Sequence, residues 1–171
     1  MPTTSMDFDL ADSSVTEALG GALARTLPSA LPAGAVLYLQ GDLGTGKTTC
    51  ARALLRALGV TGLVRSPTYT LVEIYTLGAL TCVHVDLYRL QTLIEVDELG
   101  LRDLVGTNCL LLAEWPEKGA VALPPADVSL ALSHAGNARR AQLLAMTALG
   151  ADWLQNMGRD TSLSSYVSNL T

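Results

Sequence analysis

With 171 residues, 49% of them hydrophobic and only 16% charged, the chain holds enough apolar material for the core of one domain and too little charge to stay disordered. A net charge of −5 with just two lysines, Lys47 and Lys118, excludes the broad basic surface by which proteins grip nucleic-acid backbones. No apolar run approaches the roughly 20 residues that cross a bilayer. The acidic stretch from Met1 to Asp12 lacks the basic, then apolar, order of a secretory leader.

In chain order, Ser14-x-x-Glu17 reads as a capping box, and Val15, Ala18, Leu19, Ala22, Leu23 and Leu27 recur at helical spacing as far as Pro28. Ala35 to Leu39 follows as a short apolar run, the pattern of a buried parallel strand. It leads into Gly41-Asp42-Leu43-Gly44-Thr45-Gly46-Lys47-Thr48, a full match to G-x-x-x-x-G-K-[ST]. Ala51, Leu54, Leu55 and Leu58 then mark one helix face, and Gly59 ends it.

The glycines therefore occupy a strand-to-helix turn. Without Cβ atoms there, successive backbone N–H groups can point inward at a polyphosphate, and the helix N-terminus adds partial positive charge. Asp42, Leu43, Gly44, Thr45, Gly46, Lys47, Thr48 and Thr49 are the candidate nucleotide contacts. Lys47 is expected at the β- and γ-phosphates and the Thr48 hydroxyl at Mg²⁺. Thr16 and its neighbours are a further candidate for contact with the base.

Arg65-Ser66-Pro67-Thr68-Tyr69-Thr70 places two hydroxyls around a proline. Two readings stand: an ordinary loop into a strand, or a switch-like segment in which Thr68 positions water or senses the metal. Thr70 to Thr76 and Leu80 to Asp86 are strand-like runs joined by a hairpin through Gly78. The second run ends in Asp86, and a later one, Asn108 to Ala113, ends in Glu114 followed by Trp115. Acids at the C-terminal ends of sheet strands stand where ligand sites form in α/β proteins. Mg²⁺ takes one or two carboxylates beside phosphate oxygens. The alternatives are that Asp86 caps the segment after it, and that Glu114 pairs with Arg102 or Lys118. His84 either joins Asp86 at the site or is a satisfied core histidine. Between the two acids, residues 92–105 read as short helices broken at Gly100 with an acidic face. Val128 to Ser133 alternates as a half-buried strand, turning at residues 134–137 into a second hairpin that carries Arg139-Arg140. Residues 151–156 read as a last helical turn. The Ser, Thr and Asn of residues 158–171 suggest a flexible tail.

These elements predict an α/β protein with a P-loop NTPase-like three-layer fold: a mixed sheet with antiparallel hairpins, flanked by helices. The domain spans residues 1–157 and a C-terminal tail follows. The three cysteines, Cys50, Cys82 and Cys109, form no C-x-x-C pair, which suits buried reduced thiols and a cytoplasmic setting. The N-K-x-D element of guanine-specific proteins is absent, so adenine nucleotide is the expected ligand. The nine arginines are scattered, not gathered in a kinase lid.

The phosphate loop, Ser66-Pro67-Thr68-Tyr69-Thr70-Leu71-Val72, His84-Val85-Asp86-Leu87-Tyr88-Arg89-Leu90 and Glu114-Trp115-Pro116-Glu117, in that order, resemble the TsaE family of bacterial ATPases of tRNA threonylcarbamoyladenosine biosynthesis. The likeness runs from about Ser14 to Leu149. It implies an Mg²⁺-dependent ATPase that acts with the threonylcarbamoyl transferase and its companion subunit on adenosine 37, touching tRNA only through those partners. It further implies that Thr48 and Glu114 hold Mg²⁺, that Asp86 is needed for hydrolysis with Lys47, and that Thr68 lies in the switch-like loop. Trp115 and Arg140 are implied to lie at the nucleotide, Arg139 competing for the latter role. The rival functions are a nucleotide-gated adaptor without catalysis and a small-molecule kinase.

Overall fold

The computed structural model describes residues 4–170; Met1 to Thr3, at the start of the acidic N-terminal stretch, and Thr171, at the end of the expected tail, lie outside the described residues. The elements in chain order are β1 (Ser5–Leu10), α1 (Ser13–Thr26), β2 (Ala35–Gln40), α2 (Lys47–Ala57), β3 (Val72–Leu77), β4 (Leu80–Asp86), α3 (Leu93–Glu98), α4 (Leu101–Leu104), β5 (Cys109–Glu114), β6 (Val128–Ala135), β7 (Ala138–Ala145), α5 (Ala148–Gly158) and β8 (Val167–Leu170). Short 3-10 turns follow β5 and α5. The strands form one sheet in the order β3-β4-β5-β2-β6-β7-β1-β8. Its centre, β4 to β6, is parallel, and antiparallel pairs extend it on both sides. Among the described residues no helix is long and apolar enough to cross a membrane.

Strand periodicity sorts side chains into two cores. Leu37, Leu39, Cys82, Leu110 and Leu112 pack beneath α1, α2 and α5, and Val36, Val83, Val85, Leu111 and Ala113 pack against α3 and α4. His84, Asp86 and Glu114 continue the first series, so both strand-end acids fall on the α2 side of the sheet. In register Asp86 stands directly opposite Glu114.

The structure departs from the sequence reading in three places. The cap of α1 is Asp12, whose carboxylate accepts from the backbone N–H groups of Ser14 (2.8 Å) and Val15 (3.2 Å), while Ser14 is already helical. A charged acceptor on extended backbone displaces the serine. Within the N-terminal stretch Ser5–Leu10 form a strand, with Met6, Phe8 and Leu10 buried between exposed or half-buried acids. Residues 159–170 do not form a loose tail. Leu163 is buried, Arg25 pairs with Asp160 at 3.0 Å, and β8 adds to β1 as an edge strand. One buried leucine and main-chain pairing outweigh a polar composition.

Helices α1 and α2 approach closely at Gly20, where an added Cβ would sit 2.4 Å from the Cys50 carbonyl and 2.9 Å from the Ala53 Cβ. Gly20→Ala must push α2, and the loop at its start, away from α1. We expect a loss of about 1–3 kcal/mol, visible as a lowered thermal midpoint; an unchanged midpoint would show that the two helices slide freely.

Candidate functional site

At the end of β2 the chain turns through residues 41–46 before α2 begins at Lys47. Three glycines with positive φ make the turn possible, Gly41, Gly44 and Gly46, and two of them are also closely packed. Gly41 has φ 135° and lies so close to β6 that a Cβ would meet the Leu132 carbonyl at 2.2 Å. Gly46, at φ 105°, is the left-handed residue that opens α2, and a Cβ there would press on the Thr16 methyl at 3.2 Å. Side chains strain at such φ values, and glycine does not. Thr45 closes the turn, its hydroxyl donating to the Asp42 carbonyl at 2.8 Å.

A cleft of about 410 Å³ opens beside this loop. Leu43, Gly44, Gly46, Lys47, Thr48, Thr49, Thr68, Asp86, Glu114 and Trp115, all sequence candidates, line it together with Ser66 and Tyr88. Asp42 contributes its carbonyl and Thr45 faces elsewhere. A smaller recess of about 150 Å³ shares Gly44, Gly46 and Thr49 with the cleft and is lined also by Asp12, Thr16, Thr45, Asn137 and Arg139 among others.

Glu114 is 1% exposed, and both its carboxylate oxygens are engaged. Oε2 accepts from the Thr48 hydroxyl at 2.8 Å, and Oε1 lies 2.8 Å from Nε2 of His84. The pairing with Arg102 or Lys118 that charge alone allows does not occur. Asp86, also buried, splits its two oxygens between two tasks. Oδ1 accepts from the Tyr88 backbone N–H at 2.9 Å and so caps the following turn. Oδ2 receives the hydroxyls of Ser66 (3.0 Å) and Thr68 (3.4 Å). The 66–70 segment is thereby tied to the strand-end acid, and a second link joins the same loops outside, where the Arg89 guanidinium lies 4.3 Å above the exposed Tyr69 ring.

The Lys47 Nζ donates to the carbonyls of Gly41 (2.6 Å) and Asp42 (2.8 Å) and stands 4.1 Å over the Trp115 ring. Burial pulls its ammonium below the ordinary lysine range, against the pull of Glu114, Glu117, Asp86 and Asp42. Trp115 holds a left-handed backbone, φ 57° and ψ 47°, at a cost of about 1–2 kcal/mol for a residue with a Cβ. Its ring packs on that of Tyr88, centroids 4.9 Å apart, which helps to hold the conformation.

Arg140 is not at the cleft. It reaches outward to Asp9 at 3.5 Å with both side chains more than half exposed, a weak surface pair. Alternation along β7 turns its neighbour the other way, and Arg139 donates to the Gly44 carbonyl at 3.3 Å. Sequence reasoning left Ser66, Tyr88 and His84 without a settled role. Their positions within the three later motifs were the available signal.

A parallel strand, a glycine loop and a helix beginning with Lys-Thr, at the carboxyl edge of a three-layer sheet, define a P-loop NTPase-like fold. Residues 10–142 match the family described as threonylcarbamoyl adenosine biosynthesis protein TsaE. The chain belongs to the TsaE family. Among its relatives, the Haemophilus influenzae protein named tRNA threonylcarbamoyladenosine biosynthesis protein TsaE is 45% identical over 115 residues, covering 67% of this chain and 73% of that one. The Streptomyces coelicolor protein of the same name is 36% identical over 136 residues, covering 77% and 91%. In fold, the crystal structure of Bacillus subtilis YdiB superposes with a TM-score of 0.74 at 24% identity, over 93% of this chain and 97% of that one.

All three cysteines are free and buried. Burial, with the Glu114 charge behind it, pushes the Cys50 thiol up to about 12, and burial together with Cys109 does the same to Cys82. A thiolate-selective reagent at mildly alkaline pH should therefore find no fast thiol in the native protein and three after denaturation. A fast-reacting native Cys50 would place solvent beside Glu114, where the structure has core.

Proposed function

We propose that this protein is an Mg²⁺-dependent ATPase that supports N6-threonylcarbamoylation of adenosine 37 in tRNA, working in the cytoplasm with the threonylcarbamoyl transferase and its companion subunit. The names of its relatives support the pathway. The observation that carries the chemistry is the 2.8 Å contact between Thr48 and Glu114 at the mouth of the glycine loop. A hydroxyl and a carboxylate side by side are the oxygen donors that suit a small hard cation already held by phosphates. Thr48 and Glu114 would hold Mg²⁺, which when bound supplies charge neutralisation at the phosphate oxygens.

The chain's own groups divide the remaining work. Residues 41–49 cradle the phosphates with backbone N–H groups and the start of α2. Lys47 now bonds to its own loop's carbonyls, and a β- or γ-phosphate gives its ammonium a stronger, charged acceptor. Asp86 faces the same cleft with Oδ2 held by Ser66 and Thr68, the arrangement required to orient water while Thr68 reports on the site. Trp115 covers Lys47 and restricts water. The adenosine would lie at the smaller recess beside Thr16, with Arg139 at its edge in the place expected for Arg140. The acidic surface leaves tRNA to the partners, and slow turnover alone, raised by them, is the expected behaviour.

Asp86→Ala should lower ATP hydrolysis by about 10²–10⁴-fold while binding of a fluorescent ATP analogue changes by only a few-fold; Lys47→Ala should weaken binding itself. Reconstitution with the transferase subunits and tRNA, counting modified adenosine over many turnovers, tests the role. Asp86→Ala should stall after few turnovers. Undiminished modification by Asp86→Ala would favour the non-catalytic adaptor, and labelled phosphate passing to an acceptor other than water would favour the kinase.

A further inference from the structure

His84 has no explanation in the chemistry above. It is fully buried on the α2 side of β4, two residues before Asp86 and opposite Leu112 of β5. Its Nε2 lies 2.8 Å from Glu114 Oε1, and its Nδ1 has no partner among the described residues. A histidine that merely filled core space would give that space a polar atom it cannot satisfy, and an aliphatic side chain would pack there without one.

The bonding pattern selects the proton's place. A carboxylate offers only lone pairs, so Nε2 carries the hydrogen and donates it. Nδ1 is then a bare acceptor, and buried acceptors without partners are better tolerated than buried N–H groups without them. Glu114 is thus held from both sides, Oε1 by His84 from the sheet and Oε2 by Thr48 from the first turn of α2. The terminal torsion of a glutamate is otherwise broad and nearly two-fold, leaving either oxygen free to face the cleft.

We infer that His84 is a positioning residue whose Nε2–H fixes the Glu114 carboxylate so that Oε2 faces Thr48 and the divalent cation shared between them. This rests on the Mg²⁺·ATP reading of the site. His84 lies outside the cleft lining and touches neither nucleotide nor ion; it acts through Glu114. Partners that orient metal-ligating side chains typically account for about 10–100-fold in metal affinity.

The test separates metal affinity from nucleotide affinity. A fluorescent ATP analogue is titrated into the full-length protein with EDTA, and Mg²⁺ is then added back to find the concentration that gives half of the binding change. His84→Gln keeps an amide N–H as many bonds from the backbone as Nε2, whereas His84→Asn stops one bond short and His84→Leu has no donor. We expect all three to bind the analogue in EDTA as the wild type does. The Mg²⁺ midpoint should stay within about 3-fold of wild type for Gln and rise about 10–100-fold for Asn and Leu. If Leu alone fails to fold, the Gln and Asn pair still decides. Equal midpoints for Gln, Asn and the wild type would overturn the inference and leave the nucleotide reading standing. A wild-type protein whose binding ignores Mg²⁺ would overturn both.

Discussion

The structure depends on one buried carboxylate. Glu114 ends β5 at 1% exposure, and an ionised group so placed costs several kcal/mol of lost hydration unless its lone pairs are engaged. Thr48 and His84 engage both oxygens, and each belongs to an element whose position is fixed independently, the first turn of α2 and the middle of β4. The carboxylate therefore fixes helix to sheet at the point where the glycine loop opens. A rotated α2 or a slipped β5 would leave the charge buried and alone.

Around that anchor the cleft is built of paired opposites. Lys47 rests on Trp115 with its ammonium shared between two carbonyls, and Asp86 rests under two hydroxyls from the 66–70 segment. Both arrangements hold charge ready without neutralising it by a direct ion pair, which leaves it available to a phosphate or a water. The segment carrying Ser66 and Thr68 has its other hold outside, through Tyr69 on Arg89. Arg89 on the surface is thus three residues of chain from Asp86 in the cleft.

Much of this was legible in the sequence because it is written in local pattern. The glycine loop needs Gly41, where φ is positive and backbone passes close, and Gly46, where φ is positive and the Thr16 side chain packs, and those demands appear in the chain as a motif. Apolar runs that end in an acid placed Asp86 and Glu114 at one edge of the sheet, and the mixed sheet with its hairpins followed from the strand-like runs. What stayed hidden depends on contacts distant in sequence. Met6, Phe8 and Leu10 alternate, but whether an alternating run six residues long joins a sheet depends on finding β7, more than 130 residues away. The strand after Gly158 is held by the same β1 and could not be foreseen without it. Arg139 and Arg140 are adjacent, and only the register of β7 against β6 and β1 decides which of the two turns toward the loop. For His84 the sequence leaves two readings open, at the site with Asp86 or satisfied in the core, because its partner Glu114 stands on another strand.

The most direct measurement is a crystal structure grown with a non-hydrolysable ATP analogue and Mg²⁺. The ion should lie between the terminal phosphates and the Thr48 hydroxyl, on the side faced by Glu114 Oε2, at the roughly 2.0–2.1 Å typical of Mg²⁺–oxygen contacts for its direct ligands. An ion bound away from both residues, or phosphates lying outside the turn of residues 41–46, would contradict the account.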